Sequence, residues 1–235
     1  MAKTERKLIW FREPRGRRGP KPTLSRDQIT EAAVELADAE GLEAVSMRRI
    51  ASRLDAGATS LYWHVSSKDD LHELMVDAVI GEIELPEPSG DWRADLRRIA
   101  LSSYATLSKH RWLVLLGIQP GLGPNTRRYG DVALRVFDPI GLDLSTRTNV
   151  LAAVNNYSFG FLHREIAWEQ LRERSGLNEE QWRARLQDYL EEAAEQDRSV
   201  AEQMAERFGL VSRESFEFGL DRLLDGIAGH VSRRS

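Results

Sequence analysis

The residue types that carry out covalent or metal chemistry are thinly spread along this chain. It has 235 residues and no cysteine, so thiol catalysis, disulfides and Cys-based zinc sites are excluded. Its five histidines (His64, His72, His110, His163 and His230) stand far apart, and none forms the i, i+4 pair of a helical metal site. His163 and Glu165 are two residues apart, which puts them on different faces of a helix. No G-x-S-x-G nucleophile elbow occurs, and Gly121-x-Gly123 is too short for a dinucleotide fingerprint. No catalytic residue, metal ligand or cofactor is therefore assigned. What remains is charge. The chain carries −4 overall, yet residues 1–22 hold eight Lys/Arg against two Glu, a local +6 that leaves −10 on the rest. A basic arm on an acidic body attracts phosphate locally and in a salt-sensitive way.

The elements that would position such contacts are legible from Ser46 to Lys68. Ser46 is a good helix N-cap, and Ile50, Ala51 and Leu54 follow at helical spacing. Asp55-Ala56-Gly57-Ala58 breaks the pattern, with Gly57 the residue expected to take a positive φ. A second short helix from Thr59 or Ser60 turns Leu61 and Val65 inward and stops at Ser66-Ser67. Two short helices joined by a tight turn form either an ordinary helical hairpin or a helix-turn-helix unit, whose second helix fits a major groove.

The residue string favours the second reading. Leu61-Tyr62-Trp63-His64-Val65, then Ser67-Lys68 and an apolar helix, resembles the recognition helix of the tetracycline-repressor (TetR) family. Ile29, Ala32-Ala33, Leu36 and Gly41, and Met47-Arg48-Arg49-Ile50-Ala51 with Leu54, fit the same pattern in order and spacing. The resemblance implies DNA contacts from Arg48, Ala58, Thr59, Ser60, Tyr62, Trp63, His64 and Lys68, with Tyr62 and Lys68 at phosphate-clamping positions. Thr59-Ser60 replaces the proline-threonine of tetracycline repressor, and Asp55 stands where the turn usually carries glycine. Both departures imply a different operator.

The remaining chain reads as helix. Ser25-x-x-Gln28 is a capping box opening a helix to Glu40, closed by Gly41. A fourth helix is expected from Lys68 to about Glu84. Residues 85–91 (LPEPSGD) read as a linker, and further helices follow near 92–110, 112–118, 125–138, 145–173, 178–196, 198–208 and 212–232. The expected organisation is all-α: a basic flexible arm (1–22), a helix-turn-helix domain with its connecting helix (23–84), the linker, and a helical effector-binding and dimerisation domain (92–235). No apolar run reaches the ~18 residues of a membrane span, and no secretory signal opens the chain, which fits a cytoplasmic protein.

Pro14 to Pro22 loosely resembles an AT-hook, which would send Arg15, Arg17 and Arg18 into a narrow minor groove; the alternative is a solubilising tail. The apolar run Leu8-Ile9-Trp10-Phe11 within this arm has no explanation at the sequence level. In the C-terminal part, Phe216, Gly219, Leu220, Leu223, Ile227 and Gly160 resemble the subgroup's dimer interface, a four-helix bundle about a two-fold axis; burial inside one chain is the alternative. The resemblance also implies a small-molecule effector. The subgroup's metal-holding and drug-anchoring residues become Leu115, Ile118, Glu84 and Arg164, so a Mg-tetracycline chelate is disfavoured. An apolar site remains, with Tyr104, Leu107, Trp112, Leu115, Ile118, Asn155, Asn156, Phe159 and His163 as candidate lining. The implied function is a homodimeric, ligand-responsive regulator, most simply a repressor on palindromic double-stranded DNA, with no membrane partner. The alternative is a helical adaptor or enzyme that has lost DNA binding.

Overall fold

The computed structural model describes residues 9–11, 24–117, 121–196, 198–199 and 212–231. Among these the chain is all-helical, with ten α-helices, three short 3-10 turns and no strand. The helices are α1 (Arg26–Glu40), α2 (Met47–Arg53), α3 (Ala58–His64), α4 (Lys68–Gly81), α5 (Trp92–Lys109), α6 (Arg111–Leu116), α7 (Pro124–Arg135), α8 (Leu144–Ser175), α9 (Glu179–Gln196) and α10 (Arg213–Val231). No described helix is long and apolar enough to cross a membrane. The fourth helix ends at Gly81, three residues short of the sequence expectation, because Ile83 turns inward to a buried position. The helix expected over 198–208 lies outside the described residues, apart from residues 198–199.

Polar side chains close the helix ends as the local sequence requires. Ser25 and Gln28 form both halves of a capping box on α1. Ser46 accepts the Arg49 N–H, Ser67 the Asp70 N–H, and Asp91 the Arg93 and Ala94 N–H groups. Each such cap contributes about 1 kcal/mol to its helix.

The chain divides into two compact units, residues 1–141 and 142–235. The division falls at Gly141, after α7. In the first unit, Ile29, Ala33 and Leu36 of α1 are buried with Ile50 of α2, Leu61 of α3, and Leu71, Met75 and Val79 of α4. Full burial of such side chains stabilises the fold by roughly 1.5–3 kcal/mol each. The linker is tied to the first turn of α5: buried Asp95 accepts the Ser89 N–H at 2.7 Å and the Ser89 hydroxyl at 2.8 Å, and pairs with Arg98. Burial alone would raise the Asp95 pKa, but Ser89 and Arg98 outweigh it and hold the carboxyl below its usual value.

In the second unit α8 and α10 pack through aromatic rings. Tyr157 stacks on Phe216 with ring centroids 5.4 Å apart, Phe161 meets Phe216 edge-on at 5.3 Å, and the Tyr157 hydroxyl donates to the Phe216 carbonyl at 2.9 Å. A Cβ at Gly219 would lie 2.2 Å from that hydroxyl oxygen, so only glycine lets the two helices approach here. Phe216, Gly219 and Leu220, expected at a dimer interface, lie at this contact within one chain. Phe216 and Leu220 are fully buried against their own chain and Gly219 abuts Tyr157. Gly160 is exposed, and Leu223 and Ile227 are half-buried.

Candidate nucleic-acid interface

The helix-turn-helix is built from α2 and α3. The corner between them is made by Asp55, at φ +47°, and not by Gly57. Aspartate tolerates the left-handed region better than most side chains. Gly57 instead stays extended (φ −77°, ψ 134°) and serves as the N-cap of α3, where its carbonyl accepts the Ser60 N–H at 2.8 Å. Burial of Leu61 and, just past the helix, Val65 fixes the rotation of α3. The opposite face carries Thr59 and Ser60, exposed, with Tyr62 and Trp63 at 53% and 56% exposure; Ala58 and His64 are half-buried. Two adjacent exposed aromatics beside two hydroxyls form a surface suited to another molecule rather than to a core.

Cations around this face are sorted by pairing. Arg49 is engaged by Glu40 at 2.5 Å and Arg53 by Glu35 at 2.7 Å, both partners on α1. Arg48 and Lys68 are exposed and, among the described residues, have no such partner, leaving their charge available for phosphate. The C-terminal end of α3 is held by Arg26, whose Nε donates to the His64 carbonyl at 3.1 Å and whose Nη1 reaches the Ile9 carbonyl at 3.4 Å. Arg15, Arg17 and Arg18 lie outside the described residues.

Two histidines here are biased toward neutrality. Burial, with Arg26 nearby, lowers the His64 pKa below 6.5. Burial and Lys68 lower that of His72, partly opposed by Asp69, and the buried His72 Nε2 has no hydrogen-bond partner among the described residues. The unfolded chain therefore binds more protons than the folded one near and below pH 6.5, and stability from these groups is present above that value and lost as pH falls. The melting temperature is expected to drop between pH 7.5 and 5.5, and His72→Gln to reduce the drop; an equal drop in that variant would remove His72 from the account.

Behind the interface, α4 is secured at two points that sequence reasoning missed. Buried Asp77 accepts the backbone N–H groups of Asn125 and Thr126 at 3.2 and 2.8 Å and the Thr126 hydroxyl at 2.9 Å, so it caps α7 from another helix. The Asn125 amide returns a bond to the Asp77 carbonyl at 3.1 Å. A Cβ on Gly123 would lie 2.1 Å from Asp77 Oδ1, so the chain entering α7 must be bare at that point. A charge on the apolar face of α4, three residues after Leu74, was the available signal.

The second point is His110, buried at the corner of α5 and α6. Its Nδ1 is 2.9 Å from Asp38 Oδ1 of α1 and its Nε2 is 3.0 Å from Glu82 Oε2 at the end of α4. Trp112 Nε1 donates to the same Asp38 oxygen at 2.8 Å. Trp112, expected in an effector lining, is thus buried and committed to α1.

The other candidate lining residues divide between the units. Tyr104 is half-buried, Leu107 buried and Leu115 exposed in the first unit; Asn155 and Phe159 are half-buried, and Asn156 and His163 exposed, on α8. Ile118 lies outside the described residues. Among the described residues no group of three or more His, Asp or Glu side chains is placed to hold a metal ion.

Comparison with known proteins matches this geometry. Residues 29–75 fit the family model described as bacterial regulatory proteins, tetR family, and residues 85–231 the model of the tetracyclin repressor-like C-terminal domain. An HTH-type transcriptional repressor, DrrR1 of Streptomyces coeruleorubidus, is 36% identical over 97% of this chain and 86% of its own length. An HTH-type transcriptional regulator of Saccharopolyspora erythraea is 40% identical over 77% of this chain and 78% of its own. The crystal structure of apo ActR from Streptomyces coelicolor superposes with a TM-score of 0.75 at 26% identity, covering 92% of this chain and all of that one. ActR has also been solved in complex with actinorhodin, at a TM-score of 0.70 and 26% identity over 91% of this chain and 99% of that one.

Proposed function

This chain belongs to the TetR family of helix-turn-helix transcription regulators and is not an enzyme; from that premise we propose that it is a repressor that binds a palindromic operator as a homodimer and leaves it when a small organic molecule binds. The DNA-binding role rests chiefly on one observation: α3 buries Leu61 and holds Tyr62 and Trp63 in solvent, flanked by Arg48 and Lys68, which are exposed and have no ion-pair partner among the described residues. In this reading Tyr62 and Lys68 clamp phosphate and set register, while Arg48, Ala58, Thr59, Ser60, Trp63 and His64 face the groove. Arg15, Arg17 and Arg18 supply further DNA contacts. Residues 23–84 act as the reading head and residues 92–235 as the sensing and pairing body.

Pairing is assigned to α8 and α10 through Gly160, Leu223 and Ile227. Phe218 joins this set: it is 68% exposed on α10 with the Arg222 guanidinium over its ring. A two-fold pair places the α3 helices about one helical repeat apart, the spacing of successive major grooves. The effector is a small organic molecule, as actinorhodin is in the ActR complex, with Asn155, Asn156, Phe159 and His163 of α8 as candidate contacts. Its binding reaches the head through α4, which Asp77 and His110 tie to α7 and to the α5–α6 corner.

Tyr62→Ala decides the DNA-binding part. Operator affinity, measured by fluorescence anisotropy on a fragment selected from genomic DNA, is expected to fall by about 1–2 kcal/mol with the dimer intact. Parental affinity in that variant would take Tyr62 out of the interface.

A further inference from the structure

The recognition helix is the least self-supporting element of the DNA-binding head. It has seven residues, Ala58–His64, well short of the ~12–15 at which a helix holds alone in water. Its neighbours α1, α2 and α4 each carry a side-chain N-cap, from Ser25, Ser46 and Ser67. The recognition helix starts at Gly57 and has none. Its order therefore comes from outside it. Leu61 and Val65 pin the buried side, and Arg26 Nε donates to the His64 carbonyl, one of the acceptors that a helix end leaves without a partner.

Arg26 stands against its local rule. It is the first residue of α1, where the helix dipole favours an acid and disfavours a cation. At the C-terminal end of α3 the same charge is favoured. The guanidinium thus serves the neighbouring helix at a cost to its own. Its fork also reaches a second acceptor, the Ile9 carbonyl, at 3.4 Å. Ile9 is 1% exposed, so the 3-10 turn Ile9–Phe11 holds that carbonyl in place.

We propose that Arg26 and the Ile9–Phe11 turn are positioning elements for operator discrimination: they fix the last turn of α3, and with it the angle at which Tyr62 and Trp63 meet a groove, without themselves touching DNA. The inference rests on the reading above that α3 binds DNA. Attraction to phosphate survives a small tilt of the helix, because it follows charge. Base-edge hydrogen bonds do not, because they weaken steeply with angle. Loosening the end of α3 therefore takes more from the operator than from unrelated DNA.

The test measures the full chain by fluorescence anisotropy on two labelled duplexes, one selected by this protein from genomic fragments and one of unrelated sequence, over a series of salt concentrations. Arg26→Gln is expected to lose about tenfold on the selected duplex and less than about twofold on the other, with the parental salt slope. Arg26→Lys keeps the charge without the fork and is expected to behave alike. Ile9→Ala changes no charge and is expected to lose about three- to fivefold on the selected duplex alone; if it fails to fold, the two Arg26 variants decide. Parental discrimination in the Arg26 variants overturns the proposal, and in a folded Ile9→Ala it overturns the part given to the turn. A slope shallower by about 1 in Arg26→Gln, restored in Arg26→Lys, also overturns it, since Arg26 then neutralises a phosphate itself. Equal loss on both duplexes does so too, because the substitutions then only reduce the folded head. A parent that does not distinguish the duplexes fails the DNA-binding reading itself, and the positioning role falls with it.

Discussion

Asp77→Ala is expected to lower the stability of this protein by about 3 kcal/mol, because it strands the first N–H groups of α7 and the Thr126 hydroxyl in a part-buried site. Asp77→Asn should recover part of the loss, since one carbonyl oxygen still accepts. The sharper consequence concerns signalling. With its cap gone, α7 no longer moves with α4, so the surviving folded protein is expected to bind operator and respond poorly to effector. Denaturant melts and effector titrations of the DNA complex, run on both variants, check the two halves separately. An alanine variant with parental stability would mean that solvent replaces the carboxylate at no cost.

His110→Ala is expected to cost about 2–3 kcal/mol, through a lost buried side chain and through two carboxylates, Asp38 and Glu82, left without the group between them. The imidazole reaches both carboxylates at once, 2.9 and 3.0 Å from its two nitrogens, a span His110→Gln cannot imitate. The glutamine variant is thus expected to fall near alanine in stability. Because the node joins α1, the end of α4 and the α5–α6 corner, both variants are also expected to need a higher effector concentration for release. Full rescue by glutamine would assign the site to packing alone.

What could be read from the residues, and what could not, follows the range of each interaction. The helix-turn-helix, the capping box of α1 and the Ser67 cap are short-range: donor, acceptor and apolar spacing lie within a few residues, and the bounds came out within a residue or two. The Asp55 corner was missed in favour of Gly57 because glycine is the commoner left-handed residue; the chain uses Gly57 as an N-cap and leaves the corner to a side chain that tolerates it. Asp77 and its α7 partners are 48 and 49 residues apart, and His110 and Asp38 are 72 apart. No local pattern records such pairs. The stripe on α10 was correctly read as apolar, but periodicity does not say which part faces the same chain. Phe216 and Leu220 turned out to be core, and the exposed aromatic, Phe218, had not been singled out. The Ile9–Phe11 turn shows the same limit from the other side, since the burial of Ile9 in a basic tract is legible only once the fold is known.

The corner residue of the helix-turn-helix has a last implication. Glycine would hold the φ of +47° found at Asp55 with less strain, and it would spare the approaching polyanion a like charge. A switch, however, is judged by how readily it lets go. On the DNA-binding reading, Asp55 trims residence time on the operator, and Asp55→Gly would turn a releasable regulator into a stubborn one that ordinary amounts of inducer no longer dislodge.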